Sequence, residues 1–409
     1  MSETVMQPAG YSGWRNPRRA VVAMFFLNGS LYGIWASRVP AIAEMHQLSE
    51  SLLGILLLSM AAGAIVSFPL AGKLVDLYGS AEVTKKIAFA YGATLVALAV
   101  APNVWLLGLS LFLFGAAHGS MDVSMNAWAG EVERYLKKPI MSSFHAMWSL
   151  GTGAGAASGY VAVRLGAEPM LHFLVAASLC LALSLYFGLI PWKSPVAAGQ
   201  KTDASEATPE AKPASAKKKR FPLPQGALAL AGIIGFCSAL GEGGMADWSA
   251  IFLVQVTAVD DGIAALGFAT FSVVMVGMRL VGDRIITRLG AVRAARLSSL
   301  AAASGSLLAI LAGTLPAALC GFALMGVGYA LIFPLIFSRA ANDDKLSPGA
   351  AIAAVATFGY GGGLLGPVLI GLLADIFFIR WAFLLLSALA LVIAILAPVL
   401  APPADNGSR

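Results

Sequence analysis

Twelve apolar stretches of about 18 to 25 residues decide what this chain can fold into. They begin near Ala20, Leu52, Lys86, Trp105, Met141, Met170, Gly226, Ile263, Arg293, Leu315, Ala350 and Ile376. Wound as a helix, each is long enough to cross roughly 30 Å of hydrocarbon. Inside a bilayer every backbone N–H and C=O must find a partner within the protein, so segments of this length are expected as helices. Charged residues make up only 12% of the chain, against about 25% in a soluble domain, and half of them cluster in a few short segments. The sequence therefore reads as an all-α polytopic membrane protein.

Lys and Arg set its orientation, because basic loops stay on the cytoplasmic side. If the chain enters the membrane from the side of Arg15, Arg18 and Arg19, 24 of its 27 basic residues lie on that side. Only Arg38, Arg164 and Arg380 lie opposite. Both termini are thus expected in the cytoplasm, with the protein in a bacterial inner membrane. The basic balance is an orientation signal, so nucleic acid is not expected as a partner. The polar first twenty residues, followed by a full-length span, do not read as a cleavable signal. Cys180, Cys237 and Cys320 lie singly in apolar stretches, which argues against disulfides and metal ligation, and no cofactor is expected.

Residues 193–223 are rich in Ala, Pro, Ser and Lys and have no apolar period, so they read as a flexible cytoplasmic linker. Its Lys217-Lys218-Lys219-Arg220 run suits anionic lipid headgroups. The linker divides a six-helix half, 1–192, from a second six-helix half, 224–409. A faint repeat relates the halves. The stretch from Phe114 sets against that from Met325, His145 against Thr357, and Trp35 against Met245, at shifts of 211, 212 and 210 positions.

Such a duplication resembles the major facilitator transporters. "GKLVDLYGSAEVTKK", Gly72 to Lys86, is similar to that superfamily's loop between helices 2 and 3, with Gly72, Asp76 and Gly79 at the matching positions. Arg279 to Gly290 resembles it only in part, since Asp283 falls opposite Gly72 rather than Asp76. "WASRVPAI" and "GEGGMADWSAIF" give the chain its likeness to the MosC/YbjJ-type branch, related to fucose–proton symporters. The resemblance implies the facilitator fold, proton-driven transport, and gate roles for Gly72, Asp76, Gly79, Arg279 and Asp283.

Polar residues within the spans mark the candidate site, because charge in hydrocarbon is costly and must serve a purpose. His118, Asp122 and Asn126 recur every four residues in the fourth span and so form one stripe. A carboxylate there suits a group that takes up and releases a proton. Glu242, near the middle of the seventh span, is expected to face the cavity and bind a proton or a polar substrate group. Asp247 lies five residues on, about 140° around the helix. It is expected to pair with Arg38, at the matching end of the first span, as a gate.

Tyr32, Trp35, Trp148, Trp248 and Tyr360 supply aromatic faces for a sugar-like or cationic solute, and His145 begins the fifth span with Trp148, below Asn126 on the cytoplasmic side. The fifth span reads "GTGAGAASGY", without the Gly-Pro pair that facilitator drug exporters carry. These features favour proton symport of a small sugar-, polyol- or amine-like compound, and the facilitator resemblance implies a monomer. Proton-coupled efflux of a drug or metabolite is the alternative, and a non-transporting membrane receptor a third reading. No nucleophile–base spacing or phosphate loop suggests an enzyme.

Overall fold

In the computed structural model, residues 14–194, 226–264 and 266–402 are described, and among them there are helices but no strand. The first six helices are α1 (Pro17–Met45), α2 (Glu50–Tyr78), α3 (Ser80–Ala99), α4 (Val104–Leu136), α5 (Met141–Arg164) and α6 (Pro169–Gly188). Then come α7 (Ala227–Thr257), the single turn α8 (Asp261–Ala264), α9 (Leu266–Leu289) and α10 (Ala291–Ala312). The series ends with α11 (Leu315–Ala330), α12 (Ile332–Ala341), α13 (Pro348–Ala382) and α14 (Leu384–Leu396), closed by a 3-10 turn, Ala397–Leu400. With α11 and α12 taken together, nine of the described segments are long and apolar enough to cross a membrane. Helices α3 and α5 have the length but are richer in Gly, Ser and charge. Nearly all of the expected linker, including Lys217 to Arg220, lies outside the described residues.

Local chemistry sets several helix ends. The side chain of Asn16 accepts from the Arg19 N–H at 3.0 Å, with Pro17 at the first helical position, so α1 begins there. Gly79 joins α2 to α3 at φ 87°, and Gly290 joins α9 to α10 at φ 76°. Only glycine adopts that conformation without strain, and the two sit at the spacing of the sequence repeat.

The structure departs from the sequence expectations in three places. The tenth span is not one helix but two, broken at Leu331 between α11 and α12. Pro334 explains the break: it has no N–H to offer the carbonyl of Ala330 one turn earlier. The last two spans run together in α13, where Phe378, at φ 64° and ψ 150°, turns the chain instead of a loop. Arg279, counted above with a basic loop, is 4% exposed within α9.

The helices form two compact units: one of residues up to 135 with those from 147, and one of residues 136–146 with those beyond the linker. The first turn of α5 thus groups with the second set of helices and the rest of α5 with the first. Within the first unit α1 packs on α6, and α6 on α3. Glycines bring α1 and α5 into backbone contact, since a Cβ at Gly29 or Gly33 would collide with the carbonyls of Trp148 or Thr152. From the other side, a Cβ at Gly151 or Gly155 would collide with those of Phe26 or Ser30. Small residues permit this approach where no hydrophobic effect drives helices together in lipid. In the second unit α7 packs on α13, and α11 on α9 and α10. Exposed apolar side chains such as Leu58, Leu179 and Ile395 have bilayer, not water, to face.

Candidate functional site

Each unit holds its own polar cluster. In the first, the His118–Asp122–Asn126 stripe lies along one face of α4, as expected. The Asn126 side-chain amide donates to the Asp122 carbonyl at 2.8 Å and to its Oδ1 at 3.0 Å. Among the described residues no Lys or Arg pairs with the Asp122 carboxylate. His118 Nδ1 and Tyr91 Oη, on α4 and α3, share a hydrogen bond of 2.8 Å. The Tyr32 ring from α1 lies 5.4 Å from the His118 ring and 6.3 Å from Trp148 of α5. Tyr32, Asp122 and Trp148 are each half-buried. Asn28, fully buried on α1, donates to Met125 Sδ at 3.4 Å and ties α1 to the back of α4.

Trp35, expected in this wall, is only 3% exposed and packs 6.1 Å from Phe114. It supports the wall from behind. Tyr91 and Asn28 were not among the expected residues, because each is a single polar group in an otherwise ordinary apolar span. Arg38 donates to the Ala167 carbonyl at 2.5 Å, inside its own unit.

In the second unit Glu242 of α7 has a partner that the sequence reading placed elsewhere. Its Oε2 pairs with Arg279 Nη2 of α9 at 3.3 Å, and its Oε1 accepts from Ser238 Oγ at 3.4 Å. The Arg279 side chain is 5% exposed and that of Glu242 is 23% exposed, so the carboxylate is the open member. Arg279 Nε also donates to the Ala330 carbonyl at 3.3 Å. That is the oxygen Pro334 leaves without a helical donor, so a helix break supplies the arginine with an acceptor. Gly241 admits the Tyr329 ring, whose Oη donates to the Leu386 carbonyl at 3.3 Å; a side chain at 241 would collide with the ring.

The remaining expected residues are spread over this unit's elements. Asp283, one turn beyond Arg279, accepts from the Ser143 backbone N–H at the start of α5 at 3.2 Å. Ser142 Oγ donates to the Arg279 carbonyl at 2.8 Å. His145 stacks on Phe337 of α12 at 5.6 Å. It therefore belongs with this unit, while Trp148, three positions along α5, belongs with the first. Tyr360 is half-buried on α13, and Asp247 is exposed on α7. Asp76 is half-buried and Gly72 buried near the end of α2, before the Gly79 turn. Among the described residues no group of His, Cys, Asp or Glu has the arrangement of a metal site.

A family model described as Major Facilitator Superfamily matches residues 20–343. The chain belongs to that superfamily. This facilitator is 45% identical over 384 residues to an uncharacterized transporter, y4wD, of Sinorhizobium fredii, covering 94% of this chain and 98% of the relative. It is 30% identical to the membrane protein MosC of Rhizobium meliloti, covering 92% and 88%. Among solved structures its fold is similar to that of the E. coli fucose:proton symporter FucP, at 15% identity, with a TM-score of 0.71 and coverage of 94% and 98%. The facilitator is thus a multi-pass membrane protein and a secondary transporter, not an enzyme.

Proposed function

We propose that the protein carries a small polar solute of the sugar, polyol or amine class together with protons across a bacterial inner membrane. The observation that carries this reading is Asp122: a half-buried carboxylate without a cation partner among the described residues, on the same α4 stripe as His118 and near the Tyr32 face. Such a group changes charge by taking up a proton, and hydroxyl-bearing solutes suit the aromatic and polar groups around it. Glu242 is the second candidate, because protonation would dissolve its pair with Arg279. His118, Asn126, Trp148, His145 and Tyr360 are assigned to solute contact. Asp76, Asp283 and an Arg38–Asp247 bridge are assigned to gating. One structural neighbour of the same fold is a fucose:proton symporter, a carrier of such a solute.

The test is uptake into proteoliposomes under an imposed pH gradient, with hexoses, polyols and inositol amines offered singly. The expected result is accumulation of one such solute with co-movement of protons. Asp122→Asn should abolish accumulation while exchange down a gradient continues. Proton movement opposite to the solute would replace symport by efflux. Unimpaired accumulation in both Asp122→Asn and Glu242→Gln would sink the carboxylate mechanism.

A further inference from the structure

Outside both polar clusters, α1, α5 and α6 enclose a groove of about 300 Å³ in the first unit. Val22, Ala23 and Phe26 of α1 and Leu183 and Phe187 of α6 make its walls apolar. At the end where α1 begins, the Arg19 guanidinium lies 4.5 Å above the ring of Trp14, which also lines the groove. Among the described residues no carboxylate pairs with Arg19. One further lining group is out of keeping with a plain lipid-facing crevice. The Ser184 hydroxyl is 1% exposed and has no hydrogen-bond partner among the described residues.

We propose that this groove is a specific binding site for an anionic phospholipid of the surrounding bilayer. One acyl chain lies between α1 and α6, and the phosphate sits against Arg19. The chemistry of the two ends selects that occupant. Apart from Ser184 the walls offer a water-soluble solute no polar contact, whereas Leu183, 55% exposed, opens them toward hydrocarbon. The mouth is cationic, and a guanidinium presents paired N–H donors that match phosphate oxygens. Basic groups at a membrane surface attract anionic headgroups, while a zwitterionic headgroup would bring its ammonium to the same arginine. Ser184 supplies a buried donor for an ester carbonyl between headgroup and chain, which satisfies an otherwise orphaned hydroxyl. The lipid tethers the start of α1 to the end of α6. It does so outside the solute site, and so independently of what the protein carries.

The experiment is native mass spectrometry of the purified full chain with phosphatidylglycerol or phosphatidylcholine added in parallel, alongside thermal unfolding in each lipid. One phosphatidylglycerol should be retained preferentially and should raise the melting temperature more than phosphatidylcholine does. Arg19→Gln should weaken its retention about tenfold, the usual worth of one charge-assisted hydrogen bond. Ala23→Phe fills the groove and should remove the retained lipid. Leu183→Trp, at an exposed wall position, tests the same blockage if Ala23→Phe does not fold. Equal retention of the two lipids by the unaltered protein would overturn the proposal. So would phosphatidylglycerol held undiminished by both the arginine and a folded groove-filling variant, since the lipid would then bind elsewhere.

Discussion

Glu242 and Arg279 stand 37 positions apart on different helices, and neither is fully intelligible without the other. An arginine buried in hydrocarbon keeps its charge when its carboxylate partner is removed, whereas a carboxylate that loses the arginine can take up a proton. Removing one member of such a pair is more damaging than removing both. Arg279→Leu should therefore cost about 3 kcal/mol, with Glu242→Leu/Arg279→Leu recovering part of that loss. Thermal unfolding in detergent reads both variants, and a double variant no more stable than Arg279→Leu would argue against the pair. The α4 stripe was legible in sequence because its residues share one helix face at a spacing of four. The Arg279 contact was not, since an arginine near the end of an apolar run looks like a loop residue. Tyr91 was missed for a similar reason: only the approach of α3 to α4 makes it the partner of His118.

At the scale of whole helices, the α1–α5 seam is the most demanding packing in the first unit, because it is backbone against backbone. Gly155→Leu would drive a side chain into the α1 backbone near Ser30. Overpacking of this kind typically costs 1–3 kcal/mol, roughly, and more where backbone must move. The expected outcome is a lower melting temperature and loss of folded protein on size-exclusion chromatography. Gly153→Leu, on the same helix, has open space around its Cβ position and should be tolerated. The sequence shows Gly151, Gly155 and Gly159 spaced by four in α5 but not what they face. The carbonyls facing Gly151 and Gly155 favour packing. Pro334 was also plain to read, yet its effect depends on which donor reaches the carbonyl it frees, and that donor comes from α9.

For the molecule as a whole, apolar run length and the placement of Lys and Arg carried most of the information. Bilayer thickness and the positive-inside rule act on any chain, so fold and expected orientation were accessible from sequence. Single cysteines placed at Lys137 and Gly313 in a cysteine-free background should label from opposite faces of right-side-out vesicles, Gly313 from outside. Labelling of both from one face would overturn the assignment. The boundary between units was less legible, since 136–146 lie within the first half in sequence but pack with the second unit.

Pro334 has one more consequence. The Ala330 carbonyl that it frees gives Arg279 an acceptor besides Glu242. On the proposed cycle, each proton taken up by Glu242 adds one positive charge to the second unit within the bilayer. The membrane potential acts on such a charge with up to about 2.3 kcal/mol per 100 mV for a full crossing. Proton uptake at Glu242, beside an arginine that the carbonyl freed by Pro334 also holds, would thus make the second unit responsive to voltage. The turnover of the unaltered protein should follow the imposed potential more steeply than that of Glu242→Gln.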